Sequence, residues 1–122
     1  MNKQSGGIAQ GQGKPATEAT RKVQAESTAG LDFSDMQDWE DARRGFIAPL
    51  PDKGRICCSD GHEAWNLERY AFLVGDKAES APDTVNPSLW RQSRLVMLDG
   101  LFKVTERIYQ IRNADISNMT VI

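Results

Sequence analysis

The chain has 122 residues, 39% of them hydrophobic, and a formal net charge of -2, with 15 basic and 17 acidic side chains interspersed. That is the size of one ordinary domain, without the clustered basic face that nucleic-acid binding requires: Arg43-Arg44 and the pair Arg91 and Arg94 all have acids close by. No apolar run approaches the length of a membrane span, so no partner of either kind is expected.

Residues 1–14 are rich in Gly, Gln and Ser without periodicity and predict a disordered tail. From Pro15, suited to the first turn of a helix, Ala16, Ala19 and Val23 form one stripe through Thr17 to Glu26, and Gly30 ends the helix at the latest. Ser34-Asp35-Met36-Gln37 reads as a capping box, the Ser34 hydroxyl and the Gln37 side chain each reaching a backbone N–H. Asp35 and Asp38 in the first turn, Arg43 and Arg44 in the last, and Gly45 just beyond all agree with that helix direction. Phe46 to Pro51 follows as a proline-stiffened extended connection that lays Phe46, Ile47 and Leu50 on an apolar surface.

Arg55 to Cys58 and Glu63 to Trp65 predict a short hairpin around Ser59-Asp60-Gly61-His62, because Asp-Gly supplies the positive backbone angles of tight turns. Leu67, Tyr70, Phe72 and Leu73 extend an apolar patch, and residues 74–83 read as a polar loop. Asn86-Pro87 starts the next helix: Asn caps, and Pro at the first position loses no needed hydrogen bond. Leu89, Trp90, Gln92, Leu95 and Val96 follow, and Asp99-Gly100 closes it. Leu101–Val104, Arg107–Ile111 and Ile116–Ile122 are three strand-like runs, a small meander whose last strand is an unpaired edge. The fold class is α+β, with a tail over 1–14, a helical and irregular arm over 15–100 and strands over 101–122.

No catalytic constellation is visible. His62 is the sole histidine, and joining it to Cys57 and Cys58 gives Cys-Cys-x-x-x-His, which matches no usual zinc spacing. The two cysteines are neighbours that can hardly bridge each other. Together with a start lacking the secretory leader pattern, they give the cytoplasm as the expected compartment. Ser59 and His62 lack the Gly-x-Ser-x-Gly elbow of a nucleophile, and Gly6, Gly7, Gly11 and Gly13 lack the strand and Lys-Ser or Lys-Thr of a phosphate loop. Asp38, Glu40 and Asp41 read as a solvated helix face, Trp39, Trp65 and Trp90 as core or interface, and Arg91 and Arg94 as scaffold salt bridges or cover. No catalytic, cofactor-binding or metal residue is assigned.

Four blocks carry a resemblance. They are Gln37-Asp38-Trp39-Glu40-Asp41-Ala42-Arg43-Arg44-Gly45-Phe46-Ile47-Ala48-Pro49-Leu50, Thr84-Val85-Asn86-Pro87-Ser88-Leu89-Trp90-Arg91-Gln92, Gly100-Leu101-Phe102-Lys103-Val104-Thr105 with Ile108-Tyr109-Gln110, and Asp115-Ile116-Ser117-Asn118-Met119-Thr120. In this order and spacing the chain, from about Pro15 to Ile122, resembles the amino-terminal part of the alkyl sulfatases of the metallo-β-lactamase superfamily. The resemblance implies an αββα sandwich, incomplete in this chain, and a two-zinc hydrolase that cleaves primary alkyl sulfate esters to alcohol and sulfate. It also implies a helical dimerisation domain and a sterol-carrier-like domain further on, so a homodimer is the remaining partnership. The family's His-x-His-x-Asp-His motif is absent from these residues, so no metal ligand is carried over and the chain alone is expected to be inactive and to bind no zinc. The alternatives are a non-catalytic interaction or dimerisation module pairing with a full-length sulfatase, and a gene remnant. Some relatives are secreted or periplasmic and begin with a leader that this chain lacks, and Cys57-Cys58 departs from the family pattern.

Overall fold

The computed structural model describes residues 14–75 and 80–122. The tail expected over 1–14 lies outside these residues apart from Lys14, as do residues 76–79 of the expected polar loop.

Helix α1 spans Glu18–Thr28 and is capped by the Thr17 hydroxyl, which accepts from the Thr20 N–H at 3.1 Å. Pro15 therefore precedes the cap instead of sitting in the first turn. The helix buries none of its own residues and Val23 is exposed; of the apolar stripe only Ala16, ahead of the helix, is buried. Polar ties hold it instead: Arg21 Nε donates to Asp83 Oδ2 at 2.9 Å and Gln24 Nε2 to the Asp83 carbonyl at 3.1 Å.

Helix α2 spans Gln37–Arg43, and the expected capping box does not form. Asp32 Oδ1 accepts from both the Ser34 N–H and its hydroxyl, closing a local turn that removes Ser34 as a cap. Asp35 Oδ1 takes the Gln37 N–H at 2.9 Å, and the Gln37 amide turns forward to Asp41. The helix consequently starts later, from Met36, with no side-chain bond at its cap. Its single buried residue is Trp39.

Gly45, at φ 74°, reverses the chain into β1 (Phe46–Ala48), so the expected loose connection begins as a strand. Asp52, Lys53 and Gly54 all take positive φ in the turn that follows. β2 (Arg55–Cys57) and β3 (Glu63–Asn66) then form the expected hairpin. The segment Leu67–Leu73 is a 3-10 helix capped by Asn66 Oδ1, and it buries Leu67.

Helix α3 (Pro87–Val96) is built as its sequence dictates: Asn86 Oδ1 accepts from the N–H groups of Ser88 and Leu89, and Pro87 occupies the first turn. It contributes the buried Trp90, Arg94 and Leu95. The helix stops at Val96, ahead of Asp99-Gly100, and those two residues serve the sheet. Asp99 Oδ2 accepts the Leu50 N–H at 3.0 Å, while Gly100 opens β4.

β4 (Gly100–Thr105), β5 (Ile108–Arg112) and β6 (Met119–Val121) form an antiparallel meander, and β1 pairs on the free side of β4 to give the order β1-β4-β5-β6. The sheet therefore has four strands instead of the expected three. Phe46 meets Phe102 edge to face with ring centroids 5.4 Å apart, and Phe102 is 1% exposed. β6 is shorter than the apolar run suggested, and both Ile116 and Ile122 are 91% exposed.

Candidate functional site

A cleft of about 740 Å³ lies between α2, α3, the Leu67–Leu73 segment and β5. Trp65, Tyr70, Leu73, Leu95 and Val96 line its apolar part, and Asp38, Asp41 and Asp115 supply three carboxylates. Its single arginine, Arg112, is committed: Nη1 donates to the Ala42 carbonyl at 3.0 Å, Nε to Gln110 Oε1 at 2.7 Å, and the guanidinium lies 4.1 Å from the Phe102 ring centroid. Such a lining disfavours an anionic sulfate head, and suits packing by apolar side chains.

Trp65 and Tyr70 stack tilted with centroids 5.9 Å apart, and Trp65 Nε1 donates to the Asn113 carbonyl at 3.1 Å. That bond ties the hairpin to the end of β5. Trp39 and Trp90 are buried in the helical layer, with the Arg94 guanidinium 5.9 Å from the Trp39 ring centroid. Trp39 and Trp90 thus line one cleft in the helical layer, while Trp65 stands in the hairpin.

Arg91 binds Asp38 Oδ2 and the Asp35 carbonyl, both at 2.6 Å, and so clamps α3 to the start of α2. Arg94, only 4% exposed, donates to the Leu73 carbonyl at 3.2 Å. Both arginines play the expected structural part. Arg44, just past α2, pairs with Asp41 of that helix.

The second cluster is in the β2–β3 turn. Backbone bonds Cys58 N–H to His62 carbonyl at 2.8 Å and Gly61 N–H to Cys58 carbonyl at 2.9 Å close that turn, with Gly61 at φ 86°. Asp60 Oδ1 accepts the His62 N–H at 3.1 Å and faces Nδ1 of the same ring at 2.7 Å. Across the ring, Nε2 lies 3.4 Å from Cys58 Sγ. The bonds from the His62 backbone and then its ring hold the Asp60 carboxyl below its ordinary pKa.

Sequence reasoning placed His62 in a turn next to Asp60 without giving Asp60 a role, and weighed the ring with Cys57 as well as Cys58. The local signal was the Asp-Gly turn, which returns position 62 toward both 58 and 60. Among the described residues, Cys58, Asp60 and His62 are the one group of three such ligands, their donor atoms lying within 4.8 Å of one another. They do not fit a two-zinc centre: there is one imidazole, and its two nitrogens face different partners.

Beside this turn, Glu63 receives Asn66 Nδ2 at 2.9 Å, Arg69 Nη2 at 2.6 Å and Arg55 Nε at 3.1 Å. Burial pushes its carboxyl up, but the Asn66 amide and the two guanidiniums outweigh that and leave it below the usual value. Glu63 is a structural clamp between hairpin and 3-10 helix.

The chain is 47% identical over 109 residues to a linear primary-alkylsulfatase from Pseudomonas sp, and 43% identical over 120 residues to an alkyl/aryl-sulfatase from Saccharomyces cerevisiae. Over most of its length it is similar in sequence to alkyl sulfatases. An (R)-specific secondary-alkylsulfatase from Pseudomonas sp is 44% identical over 109 residues. The solved structure of a stereoselective inverting sec-alkylsulfatase from Pseudomonas sp superposes with a TM-score of 0.75 at 43% identity, over 89% of this chain. No family model matches the chain. It spans 16% of the length of the two Pseudomonas relatives and 18% of the yeast one. Alkyl sulfatases of primary and of secondary type are therefore matched almost equally by this segment. No helix among the described residues is long and apolar enough to cross a membrane.

Proposed function

We propose that these residues form the amino-terminal scaffold of a zinc-dependent alkyl sulfatase: an arm of helices and hairpin that packs against the first strands of a metallo-β-lactamase-type sandwich. The enzyme's reaction is hydrolysis of primary alkyl sulfate esters to alcohol and inorganic sulfate. Its two zinc ions are held by ligands outside these 122 residues. The layout divides at residue 100, with the arm over 15–100 and the sandwich strands over 101–122.

The observation that carries this reading is the continuous match, in sequence and in fold, to alkyl sulfatases over 89% of the chain. The committed arginines and the acidic cleft support a scaffold role, because neither leaves a cationic seat for sulfate.

The test is zinc content and sulfate release by the purified chain, with a primary alkyl sulfate below its micellar concentration. Neither stoichiometric zinc nor turnover above a buffer control is expected, and either would overturn the proposal. A second reading, an interaction module that pairs along its sheet edge, is favoured by β6, all three residues of which are exposed.

A further inference from the structure

Cys58, His62 and Asp60 lie in the order nucleophile, base and orienting carboxylate. Sγ is 3.4 Å from Nε2, and Nδ1 is 2.7 Å from Asp60 Oδ1. The carboxylate holds the proton on Nδ1 and so turns the Nε2 lone pair toward the thiol, the logic by which an imidazole activates a neighbouring nucleophile. The turn is fixed by two backbone bonds and a third from the His62 N–H to Asp60, so the ring does not depend on the thiol for its place. Cys57, one residue earlier, is more exposed and lies outside the cluster.

We propose that Cys58 is a site of thiol–disulfide exchange with low-molecular-weight disulfides, with His62 as its base and Asp60 as a positioning residue. The Cys58 thiol proton passes to His62 Nε2, and the sulfur attacks one sulfur of a disulfide R–S–S–R. The R–S–S–R bond breaks as the Cys58–S–S–R bond forms, and the departing thiolate takes the proton from Nε2 to leave as RSH. The Cys58 sulfur is oxidised and the departing sulfur reduced, so the electrons balance.

A soft metal ion is the competing occupant, and the geometry argues against it. An ion on Nε2 and Sγ would leave Asp60 on the far ring nitrogen as a supporting partner, so the turn would offer two ligands where a stable site needs three or four. A half-buried thiol with a base on one side is the better description of the same atoms. This inference concerns the turn alone and stands apart from the sulfatase reading.

Exposure and activation predict opposite results, which makes the test decisive. The full chain is prepared as Cys57→Ser and as Cys58→Ser, and each remaining thiol is timed against dithiodipyridine, an uncharged chromogenic disulfide. Cys58 is expected to react about tenfold faster than the more exposed Cys57, since only a few per cent of an unassisted thiol is ionised near neutral pH. His62→Ala in the Cys57→Ser background is expected to remove that advantage, and Asp60→Asn to lower it partly with Asp60→Glu restoring it. The Cys57 rate in the Cys58→Ser background with His62→Ala reports whether the hairpin survives, and is expected to stay unchanged. Glutathione disulfide is then expected to give a mixed disulfide at Cys58 by mass spectrometry. Equal or slower reaction of Cys58, indifference to His62→Ala, or one equivalent of zinc that blocks the thiol would each overturn the proposal.

Discussion

Gly45 and Lys103 hold the helical arm to the sheet by contact between bare backbones. The Lys103 N–H donates to the Gly45 carbonyl at 2.7 Å, and a Cβ on Gly45 would stand 2.0 Å from the Lys103 oxygen. At φ 74° the position favours glycine on conformation as well. Gly45, the second of the two residues between α2 and β1, is thus constrained twice, by the turn and by the neighbouring strand.

Gly45→Ala is accordingly expected to destabilise the chain by more than the roughly 1 kcal/mol that left-handed backbone alone costs. Gly30→Ala is the control: it shares a positive φ but has nothing within 4 Å of the added carbon. Urea denaturation of the two variants should show the larger loss for Gly45→Ala. Equal losses would mean that the close approach to Lys103 does not matter.

Among the described residues Phe102 is the largest fully buried side chain, and its ring meets both the Phe46 ring and the guanidinium of Arg112. Truncation to Ala is expected to cost about 3–5 kcal/mol, a large share of the stability of so small a domain. Thermal unfolding followed by tryptophan fluorescence should lose its cooperative transition or shift sharply downward. A variant that melts like the parent would show that the sheet is not the core.

Asn86 does two jobs, capping α3 with Oδ1 and donating from Nδ2 to the Ser27 hydroxyl at 3.1 Å. Asn86→Ala is expected to cost about 1 kcal/mol for the cap. Asn86→Asp keeps the cap and loses the donor, so amide exchange should then quicken at the end of α1 with α3 protected. Loss of protection in both helices would assign both effects to the cap.

Stability in the hairpin should fall in acid. Because the folded carboxyls of Glu63 and Asp60 sit below their ordinary values, their contribution is present in full above the unfolded pKa, about 4 for each. It is lost as the pH drops through the lower folded values. Glu63→Gln should flatten this acid limb, measured as hairpin amide exchange against pH. An unchanged limb would assign the effect to other groups.

What the sequence made legible was local. Asn86-Pro87 specifies its cap from within a single turn, and the Asp60-Gly61 turn defines the hairpin, so both elements form where expected. The Ser34 capping box failed because Asp32, two residues upstream, offers the same hydroxyl a nearer acceptor. β1 was hidden because a three-residue strand with two prolines soon after has little local signature; its pairing comes from Phe46 meeting Phe102, 56 positions along the chain. The Cys58, Asp60 and His62 arrangement needed coordinates, since spacing alone cannot say which ring nitrogen faces which partner. The family blocks, by contrast, were readable as an ordered string, and the relatives match along that string.

The central claim is that these residues are alkyl-sulfatase scaffold without the chemistry. The most direct measurement replaces the matching 109 residues of the linear primary-alkylsulfatase with those of this chain and follows sulfate release beside the isolated chain. The account predicts a graft that keeps most of its turnover and the zinc proposed for the whole enzyme, and an isolated chain with neither. Turnover by the isolated chain, or a folded graft that has lost its zinc, would contradict it.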